Sequence, residues 1–259
     1  MNTLAESFLR LPIAHRGYHG TGPGHIENSR AAFAAAIDGD YGIELDVQLS
    51  SDGHAVVFHD YELSRLTGEK GAVRTRTLAE LTGIGLKNSD ETIPALPEIL
   101  SLVAGRTPLL IEIKDQDGAM GPDVGILEQS VAKALRAYRG PVAMMSFNPH
   151  SVAAFAKVAP EIPRGIVSCS FPATHWPLLN RKIRQRLREI PDYDRVGACF
   201  ISHRHDDLGN PRVSELKARG AHINCWTIRS PKDEAKARRI ADMVTFEGYA
   251  AKTPVEVIA

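Results

Sequence analysis

Short apolar runs and helix-like stretches alternate along most of this chain. Runs rich in Ile, Leu, Val and Met at 11–16, 42–49, 108–114, 141–147, 164–169, 197–202, 222–228 and 243–247 read as strands. Between them, 29–38, 98–103, 126–138, 149–157, 213–219 and 231–240 read as helices. Ser29 and the Ser230-Pro231 pair stand where an N-cap and a first helical residue belong. Gly140 and Gly220 stand where a left-handed turn would end a helix. Alternating strands and helices call for a parallel sheet with right-handed crossovers. The eight strands predict an α/β fold, a (β/α)8 barrel, as one domain over residues 1–259.

One interval breaks the rhythm. Residues 48–98 are too long for an ordinary strand-to-helix connection. They hold a hairpin-like piece at 49–60 turning at Ser51-Asp52-Gly53, a polar segment with Gly68 and Gly71, and an apolar stretch at 78–81. Pro94-Ala95-Leu96-Pro97 then leads into a helix. The expectation is a small insertion after the second strand, over the C-terminal mouth of the barrel, where such loops build sites. It carries His59-Asp60.

Composition narrows the picture without adding chemistry. A chain of 259 residues, 43% hydrophobic, can bury one large core. Its 31 Lys and Arg balance 31 Asp and Glu, so no global basic field argues for nucleic acid. Cys169, Cys199 and Cys225 sit in apolar runs without CxxC spacing and read as buried, reduced thiols of a cytoplasmic protein. The first twelve residues include Glu6 and Arg10 and no long apolar run, so neither a signal peptide nor stable membrane insertion is expected. The basic run at 181–188 reads as a solvated helix face rather than a membrane-binding patch.

The chemistry gathers at three strand ends. His15-Arg16-Gly17, Glu44-Leu45-Asp46-Val47 and Leu109-Leu110-Ile111-Glu112-Ile113-Lys114 each close an apolar run with polar groups. Side chains alternate along a strand, so Glu44 and Asp46 share one face, and Glu112 and Lys114 another. In a barrel these faces would be luminal. Converging carboxylates repel unless a cation neutralises them, and an all-oxygen set suits a hard divalent metal, Mg²⁺ or Ca²⁺. Each carboxylate alone could be a strand-end residue paired with Lys or Arg; three on two strands beside His-Arg-Gly favour the metal. His15 and His59 suit acid/base work on a phosphodiester near neutral pH. Arg16 could grip phosphate oxygens in bidentate fashion, and Lys114 supplies a point charge. His203-Arg204-His205-Asp206-Asp207 reads as a polar loop after the sixth strand.

Taken in order, His15-Arg16-Gly17, Glu27-Asn28-Ser29, Glu44-Leu45-Asp46-Val47, Val56-Val57-Phe58-His59-Asp60, Ile93-Pro94-Ala95-Leu96, Glu112-Ile113-Lys114, Ser146-Phe147 and Trp226-Thr227 resemble the glycerophosphodiester phosphodiesterase family. That resemblance implies a TIM barrel with an insertion after its second strand. It implies His15 and His59 as the catalytic acid/base pair, and Glu44, Asp46 and Glu112 as metal ligands. Arg16 and Lys114 match phosphate-contacting positions, and Trp226 matches an aromatic near the alcohol-binding end. The implied activity is metal-dependent hydrolysis of a small glycerophosphodiester to glycerol 3-phosphate and an alcohol. A lysophospholipase D-like action on a lipid is the alternative. The family commonly reads Glu-Asn-Thr where this chain has Glu27-Asn28-Ser29. It usually has Thr-Asp on the last strand, where this chain has Thr245-Phe246-Glu247-Gly248. Either Glu247 supplies the acidic group one position later, or that position is apolar.

Overall fold

Among residues 3–253, which the computed structural model describes, nine strands form. They are β1 (Ile13–Ala14), β2 (Gly42–Leu49), β3 (Ala55–Val57), β4 (Leu109–Ile113), β5 (Val142–Ser146), β6 (Arg164–Ser168), β7 (Phe200–Arg204), β8 (His222–Ile228) and β9 (Met243–Phe246). All but β3 are parallel, and β1 closes the circle by pairing with both β2 and β9. The result is a (β/α)8 barrel of eight parallel strands. The outermost residues of the single domain expected from the sequence, 1–2 and 254–259, lie outside the described residues.

The helices are α1 (Glu6–Arg10), α2 (Arg30–Asp38), α3 (Leu78–Thr82), α4 (Leu96–Val103), α5 (Ile126–Leu135), α6 (Pro149–Val158), α7 (Arg181–Arg188), α8 (Pro211–Ala218) and α9 (Pro231–Ala237). Side-chain caps define several starts: Ser29 accepts from the Ala32 N–H, and Ser230 accepts from the Asp233 N–H ahead of Pro231. The basic run is α7, whose Arg184 and Arg188 are turned onto the Leu179 and Ser170 carbonyls and whose Arg186 pairs with Asp192. Gly220 is left-handed as expected, with φ +93°. Gly140 is not; it is needed for space, since a Cβ there would come within 2.4 Å of the Gly105 Cα.

Parity along the strands divides the core in two. Leu45, Val47, Ile111, Ile113, Ile201, Ile223 and Val244 face outward and pack with Phe33, Leu100, Val131, Phe155 and Val213 from the helices. The lumen begins apolar: Phe8 of α1 packs with Ile13, Leu110, Met145, Val167, Phe200 and Met243 and plugs the end where the strands start. The Phe200 ring occupies the space a side chain at position 165 would fill, since a Cβ on Gly165 would lie 2.4 Å from it. One layer higher, buried Asn224 donates to Ser202 Oγ and Thr245 Oγ1, both at 3.0 Å. The charged residues lie above that layer, at the C-terminal mouth.

Residues 50–95 carry their own apolar cluster of Val56, Phe58, Leu63, Val73, Leu81, Leu86 and Ile93. β3 pairs antiparallel with the end of β2, so the hairpin extends a barrel strand past the rim and holds the rest beside the mouth. Two expectations at strand edges change. β7 starts at Phe200 and runs through Arg204, so His203 is a fully buried strand residue rather than part of a loop. Its ring nitrogens bond Ser168 and Asp207, which explains how a histidine is accommodated there. β1 ends at Ala14, because the chain turns sharply at Arg16.

Candidate active site

The turn that ends β1 builds half of the site. The His15 N–H still bonds the Phe246 carbonyl at 2.9 Å, continuing the pairing with β9. Arg16 then adopts φ +56° and Gly17 φ +78°, and a Cβ on Gly17 would approach the Ala32 backbone and the Phe33 ring to 2.9 Å. The reversal points the Arg16 N–H at Glu44 Oε2 (2.9 Å) and brings its guanidinium to Glu27 (2.7 Å) and Asp46 (3.4 Å). Glu27, Asn28 and Ser29 have separate tasks. Glu27 holds Arg16, Asn28 holds Asp46, and Ser29 caps α2. Asn28, left-handed at φ +59°, donates to Asp46 Oδ2 at 3.0 Å and accepts from the Asp46 N–H at 3.3 Å.

β2 and β4 supply the carboxylates. Asp46 pairs in register with Glu112, and Glu44 lies one luminal step below. Glu44, Asp46 and Glu112 each place one oxygen within 4.8 Å of the other two, and all three side chains are buried. Lys114 Nζ lies 2.8 Å from Glu112 and 3.3 Å from Asp46. Burial, reinforced by Asp46 and Glu112, pushes Glu44 well above the usual carboxylate range. Burial acts the same way on Asp46, but Lys114, then His59 and Arg16, outweigh it and hold that carboxyl far below. Burial would lower Lys114, yet Glu112 and Asp46 raise it. Two fixed cations are thus too few for three carboxylates, and the remaining repulsion falls on Glu44. A hard divalent cation taking one oxygen from each would relieve it, so the donor set fits Mg²⁺ or Ca²⁺.

The two histidines are held alike. His15 Nδ1 meets Glu247 Oε2 at 2.5 Å, while its Nε2 faces Glu44 at 4.0 Å. Burial lowers the His15 pKa more than the hydrogen bond to Glu247 restores. His59 Nδ1 meets Asp60 at 2.6 Å. Arg65 spans Asp60 (2.5 Å) and Glu27 (2.6 Å), tying the insertion to the Arg16 turn. Of the alternatives for the end of β9, the structure selects the first: Glu247 supplies the carboxylate, and Phe246 is buried among Tyr18, Tyr41 and Tyr249.

All eight residues singled out from the sequence, His15, Arg16, Glu44, Asp46, His59, Glu112, Lys114 and Trp226, line one cavity of about 170 Å³. The Trp226 indole N–H donates to the Ser202 carbonyl at 2.9 Å, and the ring meets Phe147 edge-on at 5.5 Å. Phe147, His59, Glu112 and Lys114 also border an outer groove of about 530 Å³, walled by Tyr61, Met120 and Trp176. Sequence reading missed the partners: Asn28 for Asp46, Asp60 with Arg65 for His59, and Glu247 for His15. Asp60 adjoins His59 and Asn28 lies within the Glu27-Asn28-Ser29 motif, whereas Glu247 lies 232 positions from its histidine.

The closed parallel barrel thus holds a buried carboxylate cluster and two carboxylate-held histidines at its C-terminal mouth, the end where barrel enzymes build their active sites. The chain belongs to the glycerophosphoryl diester phosphodiesterase family, whose sequence model matches residues 15–249. YhdW of Bacillus subtilis (strain 168) is 30% identical over 234 residues, covering 86% of this chain and 88% of that protein. The glycerophosphodiester phosphodiesterase of Caldanaerobacter subterraneus subsp. tengcongensis is 38% identical over 167 residues, 61% of this chain and 66% of its own. Among solved structures, an Oleispira antarctica phosphodiesterase in complex with the product sn-glycerol-3-phosphate superposes with a TM-score of 0.80 at 26% identity. That match covers 99% of this chain and 100% of the other.

Proposed function

We propose that this protein hydrolyses small glycerophosphodiesters to glycerol 3-phosphate and an alcohol. Glu44, Asp46 and Glu112 would hold Mg²⁺ or Ca²⁺, and His15 and His59 would act as the acid/base pair. One observation carries the reading: two imidazoles, each bonded through Nδ1 to its own carboxylate, line the cavity that the carboxylate cluster, Arg16 and Lys114 also line. A carboxylate on Nδ1 fixes the tautomer with Nε2 free to take a proton, and stabilises the imidazolium that forms. One ring serves the attacking hydroxyl, the other the leaving alkoxide. Arg16 Nε, buried and only ion-paired to Asp46 at 3.4 Å, offers a donor for a phosphate oxygen, and Lys114 adds a charge. When bound, a divalent cation at the three carboxylates would polarise the phosphoryl group and acidify a coordinated hydroxyl. Phe147 and Trp226 form the apolar side of the cavity.

The product complex of the Oleispira antarctica relative supports glycerol 3-phosphate as the inner product. The outer groove would then receive the leaving alcohol. A lysophospholipase D-like action is the second reading, favoured by the aromatic groove wall and the exposed Leu178 beside Trp176. Assaying glycerophosphocholine, glycerophosphoethanolamine, lysophosphatidylcholine and bis(p-nitrophenyl) phosphate, with and without divalent metal, tests both. The first reading expects the two glycerophosphodiesters to dominate; a preference for lysophosphatidylcholine selects the second. Hydrolysis of none of the four would refute both.

A further inference from the structure

We propose a second cation site beside the catalytic cluster, formed by His15, His19 and Glu247, that binds Zn²⁺ and switches the enzyme off. Its ligand atoms lie within 4.8 Å of one another, on residues outside the three-carboxylate set. His19 Nε2 is buried and faces the same Glu247 Oε2 at 3.6 Å, within ion-pair reach but longer than a normal hydrogen bond. A ring nitrogen and a carboxylate oxygen at that separation, beside a second imidazole on the same oxygen, are spaced as ligands of one cation would be. Arg229 occupies the other carboxylate oxygen, Oε1, at 2.7 Å, which leaves Oε2 as a single ligand. Two imidazoles and one carboxylate form a borderline-soft set that favours Zn²⁺ over Mg²⁺ or Ca²⁺, with a fourth position left for water.

The site lies on the opposite side of the His15 ring from the carboxylate cluster, since Nδ1 faces Glu247 and Nε2 faces Glu44. Zinc at Nδ1 would replace the hydrogen bond to Glu247 and pin the ring to the metal, removing it from proton transfer. Inhibition rests on the function proposed above; binding does not, and the test separates them. The full-length protein, saturated with Mg²⁺, is titrated with Zn²⁺, bound metal is counted by mass spectrometry, and Co²⁺ serves as a visible-absorption probe. The expectation is one Zn²⁺ per chain bound beside Mg²⁺, a histidine-type Co²⁺ spectrum, and inhibited turnover. His19→Ala should keep its Mg²⁺-supported turnover, lose the spectrum, and need more than ~100-fold higher Zn²⁺ for inhibition, beyond the loss from removing an outer hydrogen-bond partner. His19→Gln should behave the same way. Zinc that displaces Mg²⁺ one for one, or inhibits wild type and both variants equally, would overturn the site. Absence of any phosphodiesterase activity, with the Co²⁺ spectrum present in wild type and lost in His19→Ala, would uphold the site and refute the proposed function alone.

Discussion

Replacing Glu247 with Gln tests the arrangement around His15 with a change of one atom. Glu247 has two close hydrogen-bond partners, with His19 a further contact at 3.6 Å: Oε2 meets His15 Nδ1 at 2.5 Å, and Oε1 accepts from Arg229 at 2.8 Å. An amide cannot serve both in the same way. Arg229 has only donors to offer, so the Gln oxygen must face it, and the NH₂ group must then face His15. That NH₂ would donate to Nδ1 and force the ring hydrogen onto Nε2, the atom that should be free to accept a proton. Loss of the charge alone turns a charge-assisted hydrogen bond into a neutral one, worth about 1–1.5 kcal/mol, or roughly tenfold in rate. Loss of the correct tautomer removes His15 from proton transfer, a further ~10²–10⁴-fold. Glu247→Gln should therefore lower kcat by about 10³-fold or more, with KM and melting temperature little changed. Removing the arginine as well should relieve the constraint: in Glu247→Gln/Arg229→Leu the amide can rotate and present its oxygen, recovering at least ~10-fold over the single variant. Coupled detection of glycerol 3-phosphate reads the rates, and ¹⁵N NMR of the ring reads the tautomer. A Glu247→Gln enzyme within about threefold of wild type, with its hydrogen still on Nδ1, would refute this account.

Four further outcomes follow from the site. Chelation should abolish turnover and Mg²⁺ or Ca²⁺ restore it, with added metal raising stability by ~2.7 kcal/mol at a hundredfold excess over Kd; full activity in excess EDTA contradicts this. Asn28→Ala, which strips two hydrogen bonds from Asp46, should weaken metal binding by ~10–100-fold in calorimetry, and an unchanged Kd would show that Asp46 is held by other means. Because burial and its acidic neighbours raise Glu44, metal competes with a proton there. Affinity should therefore fall as pH drops, and the heat of binding should depend on the buffer's ionisation enthalpy; a buffer-independent heat argues against it. Trp226→Ala should weaken glycerophosphocholine and glycerophosphoethanolamine hydrolysis to similar extents, within about tenfold of each other; selective loss of the choline substrate would make the indole a headgroup reader.

The barrel was legible because its signals are local. Consecutive apolar residues mark strands buried on two faces, and the two-residue period alone put Glu44 with Asp46 and Glu112 with Lys114 on the luminal side. What stayed hidden depended on contacts between distant segments or on backbone shape. Nothing near Glu247 says that it reaches His15, because that contact exists only once β9 closes on β1. His203 reads as a loop residue beside Arg204 and Asp206, and its burial is made tolerable by the Ser168 hydroxyl on the neighbouring strand together with Asp207. Helix α1 is five residues long, too short to show a period, although its Phe8 fills the lumen. Gly140 stands where a helix terminator belongs, yet its role is to let Gly105 approach from another turn.

The plug formed by Phe8, Phe200 and their neighbours has a consequence for traffic. With its floor sealed, the lumen is a blind alley, and molecules enter and leave by the same door. In the proposed reaction the glycerol 3-phosphate half lies deeper, and the departing alcohol lies between it and the exit. Departure is then a queue: the alcohol leaves first, and glycerol 3-phosphate follows. The last product out is the one that rebinds to the empty enzyme. Glycerol 3-phosphate should accordingly inhibit competitively against substrate and the alcohol non-competitively, an order imposed by a phenylalanine at the far end of the barrel from the chemistry.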